Sequence, residues 1–322
     1  MAEETYKGTI VPKADFDIEL ACKQFKKAMK GIGTDENAII RLLVSHNNLQ
    51  RTEIQEKYKE MFGQDLLDDL KDELGGHFEE AVVAMMISPN EFLTSSLKDA
   101  FDGVGTDENV LVDILCCKTP EELQSLCYYY EEAHGRSLDD DLESELSGDF
   151  QSLMRSLVAA GRDEDQTKDA VSARKDAQDL YDAGIGLNSE SEVSEFINIL
   201  NTRSYPQLQE IFLAYENISQ DSIENAISSE FEGDMKNGLL AIVQRVKDPL
   251  AFYATRIQQA LDGAGTDDKT LIRILVTRSE IDLADIRKKY NELFDIDMAE
   301  AIKEDTGGDY GKLLVAIVNN NS

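Results

Sequence analysis

The chain has 322 residues, 42% of them hydrophobic, and a formal net charge of −32. Its length allows two or more cores and its hydrophobic content excludes a disordered chain, while the charge argues against nucleic acid, and against anionic lipid unless a cation intervenes. The longest apolar stretch, AVVAMMI, is far shorter than the ~18 residues that suggest a membrane span. The N-terminus carries no secretion signal, so a cytoplasmic protein is expected.

The first predicted elements follow a short tail, residues 1–15. A glycine loop, MKGIGTDE at 29–36, precedes the segment IIRLLV, whose apolar i, i+3, i+4 spacing predicts a helix. Thr34 is expected to cap this helix, and the acids after it favour the positive end of the helix dipole. The capping box NNLQ at 47–50, the segment DLLDDLKDEL, a glycine break and EEAVVAMMI complete the unit. We predict about five helices and no strand for residues 16–87.

The same pattern recurs along the chain at fixed spacings. FDGVGTDE and LDGAGTDD repeat the glycine loop, with Thr106 and Thr266 in the place of Thr34. An acid stands 39 residues after each threonine: Glu73, Glu145 and Asp305. Further capping boxes are expected at TPEE, SYPQ and SEID. The chain is therefore predicted to consist of four repeats and one linker: 16–87, 88–160, linker 161–176, 177–246 and 247–319.

The third repeat departs from the pattern. Its acid is Glu230, and both that acid and SYPQ point back to Ser191 as the equivalent of the loop threonines. In its loop, DAGIGLNSESE, Asn188 and Glu190 stand where the other loops have glycine. Whether this repeat binds a cation stays open at this point.

The glycine loops have the composition of a cation site. Glycine at positions 31 and 33 permits positive φ angles, which turn successive carbonyl groups one way. The following helix uses the amides, so the carbonyls of Met29, Gly31 and Gly33 are left over. If the intervening chain folds as two helical hairpins, these carbonyls meet the carboxylate of Glu73. Such oxygens suit Ca²⁺, which takes ~6 to 8 oxygen ligands.

Other kinds of glycine-rich site fit less well. A dinucleotide fingerprint needs a preceding strand and a glycine where Glu36 stands, and a P-loop needs GK[ST]. An EF-hand needs DxDxDG in one loop, and DIDMAEAIKE has alanine at the glycine position. For one copy, a simple turn beside a solvated acid would suffice. Three copies at one offset argue for a site.

A single carboxylate leaves coordination positions open to water or to another oxygen ligand, such as a lipid phosphate or carboxylate. Ca²⁺ would then bridge an acidic protein to an acidic surface. Three bound ions raise the net charge only from −32 to −26, so the attraction must be local to the loops. Ile32, Val104 and Ala264, which stand between the glycines, are the candidates for membrane contact.

These residues resemble the annexin family. The GxGTDE loops, the fourfold helical repeat, TRSEIDL (277–283) and SGDF (147–150) carry the resemblance, which covers about residues 16–319. It implies an all-α fold, four five-helix repeats in a curved disc with calcium loops on its convex face, and Ca²⁺-dependent binding of acidic phospholipid. A short tail implies few dedicated partners. The implied ligand sets are the carbonyls of Met29, Gly31 and Gly33 with Glu73, those of Phe101, Gly103 and Gly105 with Glu145, and those of Leu261, Gly263 and Gly265 with Asp305.

The expected protein is therefore a peripheral membrane protein that is not an enzyme and is recruited to the cytoplasmic face of membranes when calcium rises. Lateral self-association on the membrane is compatible with this expectation. The alternative is a calcium-independent helical-repeat scaffold that binds a protein partner. The three histidines, His46, His77 and His134, occupy unrelated positions in the repeats and suggest no catalytic pairing. His77 is expected to be structural or solvated.

Overall fold

The computed structural model describes residues 6–31, 33–103, 105–184, 190–263 and 265–320. Within these residues the chain forms an all-α fold of four repeats with five helices each, as predicted. The first repeat holds α1 (Ile18–Ala28), α2 (Glu36–Val44), α3 (Asn48–Phe62), α4 (Leu66–Glu73) and α5 (Gly76–Met86). The second holds α6 (Pro89–Phe101), α7 (Glu108–Leu115), α8 (Pro120–His134), α9 (Leu138–Glu145) and α10 (Gly148–Val158). The third holds α11 (Ala170–Gly184), α12 (Glu190–Thr202), α13 (Tyr205–Ser219), α14 (Ile223–Glu230) and α15 (Gly233–Lys247). The fourth holds α16 (Pro249–Leu261), α17 (Asp268–Arg278), α18 (Leu283–Phe294), α19 (Met298–Asp305) and α20 (Gly308–Asn319).

The helices form two compact units. The terminal unit comprises the chain up to Phe92 and from Tyr253 onward, and so joins the first and fourth repeats. In it α5 packs on α17 and α20, and α2 packs on α20. The central unit, Leu93–Phe252, joins the second and third repeats. There α10 packs on α12 and α15, and α7 packs on α15.

The helices that follow the glycine loops begin one residue later than expected. Aspartate, and not the loop threonine, stands at the N-cap position of each: Asp35, Asp107 and Asp267. The carboxylate of Asp35 accepts from the Ala38 amide at 2.9 Å, and Asp267 does the same for Thr270 at 3.1 Å. The expectation that Thr34 caps α2 is therefore wrong, because the next residue offers a charged acceptor to the amides of the first turn.

Two of the four expected capping boxes are complete, at NNLQ and TPEE. At SYPQ only half of the box forms, because the Gln207 side chain hydrogen-bonds to the main chain of Asp169. At SEID the box is absent and α18 begins only at Leu283. There the Ser279 carbonyl accepts the amides of Thr9 and Ile10, so the N-terminal segment holds this turn.

The third repeat begins earlier than its repeat spacing suggests. Its first helix, α11, starts at Ala170, inside the segment 161–176 that was expected to be a linker. Asp169 accounts for this start, because its carboxylate accepts from the amides of Val171 and Ser172 at 2.9 and 3.2 Å.

The N-terminal segment is a strap across the fourth repeat. The amides of Thr9 and Ile10 donate to the Ser279 carbonyl at 2.7 and 2.9 Å, and Ala284 donates to Lys7 at 3.0 Å. Ile10 is buried. Gly8 passes so close that an added Cβ would lie 2.6 Å from the Ser279 carbonyl oxygen.

No helix in the described part of the chain is both long enough and apolar enough to cross a bilayer.

Candidate metal centre

Each of the three glycine loops is closed in the same way. The Asp35 amide donates to the Ala28 carbonyl at 2.8 Å, which ties the residue after the loop to the end of α1. The second and fourth repeats repeat this bond, from Asp107 to Ala100 at 2.9 Å and from Asp267 to Ala260 at 2.8 Å. The predicted carbonyl ligands lie between the two ends of each bond. Within the described residues, no amide donates to any of these nine carbonyls.

The glycines adopt the backbone conformation that the prediction requires. Gly31 and Gly33 have φ angles of 120° and 88°. The corresponding values are 148° for Gly103, 91° for Gly105, 122° for Gly263 and 115° for Gly265. L-residues rarely adopt such angles, so glycine is needed for conformation. It is not needed for space in the first loop, since an added Cβ at Gly31 or Gly33 would meet no atom within 4 Å.

The acids occupy one structural position in all four repeats. Each is the last residue of the eight-residue fourth helix: Glu73, Glu145, Glu230 and Asp305. A carboxylate at a helix C-terminus faces the negative end of the dipole, which costs ~0.3 to 1 kcal/mol at an exposed site. The same unfavourable placement in four helices indicates a purpose other than helix stability.

Loop and acid meet directly in the terminal unit. Thr34 Oγ1 donates to Glu73 Oε2 at 3.2 Å. In the fourth repeat Thr266 Oγ1 donates to the Asp305 carboxylate and lies 3.3 Å from its main-chain oxygen. The loop threonine, displaced from the capping role, thus holds the acid beside the glycine loop. The predicted meeting of the loop with an acid 39 residues away is present in these two repeats.

The other two repeats differ. In the second, the loop closes as in the others, but Thr106 makes no hydrogen bond to Glu145 among the described residues, and Glu145 Oε1 lies 3.5 Å from Ser144 Oγ. In the third, Glu230 ends α14 as expected, while loop residues 185–189 lie outside the described residues. The predicted membrane-contact residues Ile32, Val104 and Ala264 also lie outside them.

The electrostatics of the first and fourth sites favour a cation. The C-terminal ends of α1 and α4 meet at the Thr34–Glu73 contact, so two negative helix ends face one point. Glu73 and Asp305 also line one open groove of about 560 Å³ in the terminal unit. The other carboxylates that line it are Glu36, Asp268 and Asp309.

His77 links two acidic segments at this groove. Its Nδ1 lies 2.9 Å from Glu80 Oε2 and its Nε2 lies 3.2 Å from Asp268 Oδ2. The hydrogen bond with Glu80, and then the charge of Asp268, raise the pKa of His77 above its ordinary value. The histidine therefore joins the start of α5 to the start of α17 most strongly when it is protonated.

The donor set fits Ca²⁺ better than a softer metal. Main-chain carbonyls and a single carboxylate are hard oxygen ligands, and no thiolate or imidazole takes part. No group of three or more His, Cys, Asp or Glu side chains in the described residues has the arrangement of a metal site. This agrees with a centre whose protein ligands are mainly carbonyls.

Sequence reasoning missed the role of the loop threonines. Thr34 and Thr266 stand 39 residues from their acids, and the hydrogen bonds show that this constant offset reflects a direct contact. The offset itself was the available signal. The His77–Asp268 contact had no such signal, because it joins different repeats.

The comparisons with known proteins agree with this geometry. The annexin family profile matches residues 21–85, 94–157, 175–242 and 252–317. Annexin A4 of Homo sapiens is 42% identical over 313 residues, which covers 97% of this chain and 98% of the relative. The structure of annexin III has a TM-score of 0.93 at 40% identity, with 98% of each chain covered. The structure of calcium-bound annexin (Sm)1 has a TM-score of 0.85 at 30% identity, covering 97% of this chain and 93% of that one.

The resemblance inferred from the glycine loops is thereby confirmed, together with the expectation that the protein is not an enzyme. The chain belongs to the annexin family, whose members are non-enzymatic, calcium-dependent binders of phospholipid membranes.

Proposed function

We propose that this protein binds acidic phospholipid membranes by holding Ca²⁺ between its glycine loops and the lipid headgroups. In the first repeat the carbonyls of Met29, Gly31 and Gly33 and the Glu73 carboxylate would hold the ion. The corresponding ligands are Phe101, Gly103, Gly105 and Glu145 in the second repeat, and Leu261, Gly263, Gly265 and Asp305 in the fourth.

The observation that carries the proposal is the contact between loop and acid. Thr34 and Thr266 each bring a carboxylate to a loop whose carbonyls accept no amide of the described residues. These hydrogen bonds order the carboxylate before a cation arrives, which reduces the entropy lost on binding. The second repeat shares the loop closure but not the threonine contact, so we expect it to bind calcium more weakly.

Membrane attachment follows from incomplete coordination. Bound Ca²⁺ supplies positive charge at the loop and open positions for the phosphate or carboxylate oxygens of a lipid. The chain's own acids repel an acidic surface everywhere else, so binding is confined to the loops and depends on calcium. We expect recruitment to the cytoplasmic face of membranes when calcium rises, with the four repeats bounded at 16–87, 88–160, 177–246 and 247–319.

The test is co-sedimentation with acidic phospholipid vesicles over a range of calcium concentrations. The variant Glu73→Gln, Glu145→Gln, Asp305→Asn loses the three carboxylate ligands while keeping their shapes. Because ligand charge sets calcium affinity, we expect its calcium requirement to rise about tenfold or more. The helical content of the variant should be unchanged, since all three acids end helices at the surface.

A charge-matched control separates ligand loss from a change in net charge. Glu53→Gln, Glu132→Gln, Asp295→Asn removes three exposed acids from the same three repeats and leaves the loops intact. This control should sediment like the wild type, or slightly better. Equal calcium requirements for both variants and the wild type would refute the site assignment. Binding that persists in chelator would instead favour the calcium-independent scaffold.

A further inference from the structure

A second groove in the terminal unit has the opposite charge from the calcium groove. It is about 620 Å³ in volume and lies between α1, α2, the N-terminal segment and the C-terminus. Three cations line it, Lys13, Lys27 and Arg41, against one acid, Asp35. None of the proposed calcium ligands lines it. We call it the basic groove.

The three cations have no anionic partner in the described part of the chain. Acids outnumber Lys and Arg by 64 to 32, so a base without a carboxylate nearby is unexpected here. Elsewhere in the molecule bases are paired, as in Lys26 with Asp69 and Arg155 with Asp139. The side chains of Lys13, Lys27 and Arg41 are exposed and make no ion pair or hydrogen bond with the described residues. Their charge is available to a ligand.

The backbone holds these cations in fixed places. Lys27 lies in α1 and Arg41 in α2, and the two helices pack together. Lys13 lies in the N-terminal segment, where Gln50 accepts from its amide at 2.9 Å and donates to its carbonyl at 3.0 Å. Asn320 closes the C-terminal wall by donating to the Val44 carbonyl at 2.6 Å.

The acid in the basic groove is already engaged. The Asp35 carboxylate caps α2 through the Ala38 amide at 2.9 Å, so part of its charge is compensated by the helix end. The groove also has an apolar part, which includes Ala38 and Leu42. A ligand therefore meets convergent positive charge beside an apolar wall.

We propose that the basic groove binds a multivalent phosphate without calcium. The ligand carries two or more negative charges, as in a polyphosphate or a phosphorylated headgroup, because one charge cannot engage three separate cations. The net charge of −32 does not prevent this binding at physiological salt. The Debye length there is about 8 Å, so distant acids are screened while the groove cations act at contact.

The test uses inorganic tripolyphosphate as the probe, with calcium removed by a chelator and at physiological ionic strength. Calorimetric titration of the wild-type protein should show saturable binding. The variant Lys13→Gln, Lys27→Gln, Arg41→Gln should bind at least tenfold more weakly. The matched control Lys71→Gln, Arg174→Gln, Lys269→Gln has the same net charge and should bind like the wild type.

Two further measurements make the outcome decisive. Arg41→Glu alone, an exposed change, should also weaken binding if the triple variant fails to fold. Vesicles of neutral phospholipid containing a phosphorylated inositol lipid, with chelator, distinguish a lipid-borne phosphate from a soluble one. Absence of saturable binding in both arms, or equal loss in the triple variant and the matched control, overturns the proposal. Because calcium is absent throughout, the result is independent of the calcium site.

Discussion

Two glycines of the first repeat separate the effect of backbone conformation from that of space. Gly33 has a φ of +88° and Gly75 a φ of −162°, and an added methyl group would meet no atom within 4 Å at either position. Gly33→Ala should cost about 1 to 3 kcal/mol of local strain or distort the loop, because an L-residue resists this angle. Gly75→Ala should be close to neutral, since its backbone is extended.

The measurement for this pair is the calcium concentration at half-maximal vesicle binding. We expect Gly33→Ala to raise it and Gly75→Ala to leave it unchanged, with both proteins folded. If the two variants behave alike, the positive φ of Gly33 has no role in calcium binding and the loop is an ordinary turn.

Gly8 shows a different need for glycine, that of close approach. A Cβ there would lie 2.6 Å from both the Glu280 carbonyl carbon and the Ser279 carbonyl oxygen, which are main-chain atoms and cannot rotate away. Gly8→Ala should therefore release the strap and the buried Ile10, lowering the free energy of unfolding by about 1 to 3 kcal/mol. Faster hydrogen exchange at the amides of Thr9 and Ile10 would confirm the release, whereas unchanged exchange and stability would contradict it.

At the level of helices, the fourth helix of each repeat is short and ends in an acid. The placement works against the helix dipole, and the first and fourth sites offset part of this cost with a threonine hydroxyl. A bound cation would offset the rest. Calcium binding and the stability of these helix ends are thus expected to rise together.

His77 gives the contact between α5 and α17 a defined pH dependence. Glu80 and Asp268 raise its folded-state pKa, so the stabilisation is fully present below the unfolded-state pKa of about 6.5 and is lost as pH rises through the folded value. Urea unfolding in chelator should show a larger stability difference between wild type and His77→Gln at pH 6 than at pH 8.

The variant His77→Lys is the control for this prediction, because lysine keeps its charge at both pH values. Its stability relative to His77→Gln should not fall between pH 6 and pH 8. If the difference between wild type and His77→Gln is the same at both pH values, the histidine is solvated and does not join the two helices.

What the sequence could predict follows from the range of the interactions. Helices such as α2 and the boxes at NNLQ and TPEE depend on neighbouring residues, and they were predicted correctly. The loop and its acid were found because the repeats print the same offset three times. The failed box at SEID depends on Thr9 and Ile10, about 270 residues away, and no local pattern reports such a contact. The basic groove likewise combines residues from both ends of the chain.

At the level of the whole molecule, the charge sets the terms of membrane binding. A chain of net charge −32 is repelled by an acidic bilayer, and filling three sites leaves most of that charge in place. Attraction must come from a few contact points within roughly one Debye length, about 8 Å at physiological salt. Calcium at the loops provides such points.

Thermodynamic linkage makes this claim testable. If lipid oxygens complete the calcium shell, lipid must raise the calcium affinity by the same factor by which calcium raises the lipid affinity. A site that holds calcium with protein ligands alone would show no such coupling.

The most direct measurement is therefore a calcium titration of the wild-type protein in three conditions: without vesicles, with neutral phospholipid vesicles and with acidic phospholipid vesicles. We predict weak binding in the first two conditions and binding at least tenfold tighter with acidic vesicles. Equal calcium affinity in all three conditions would contradict the bridging mechanism.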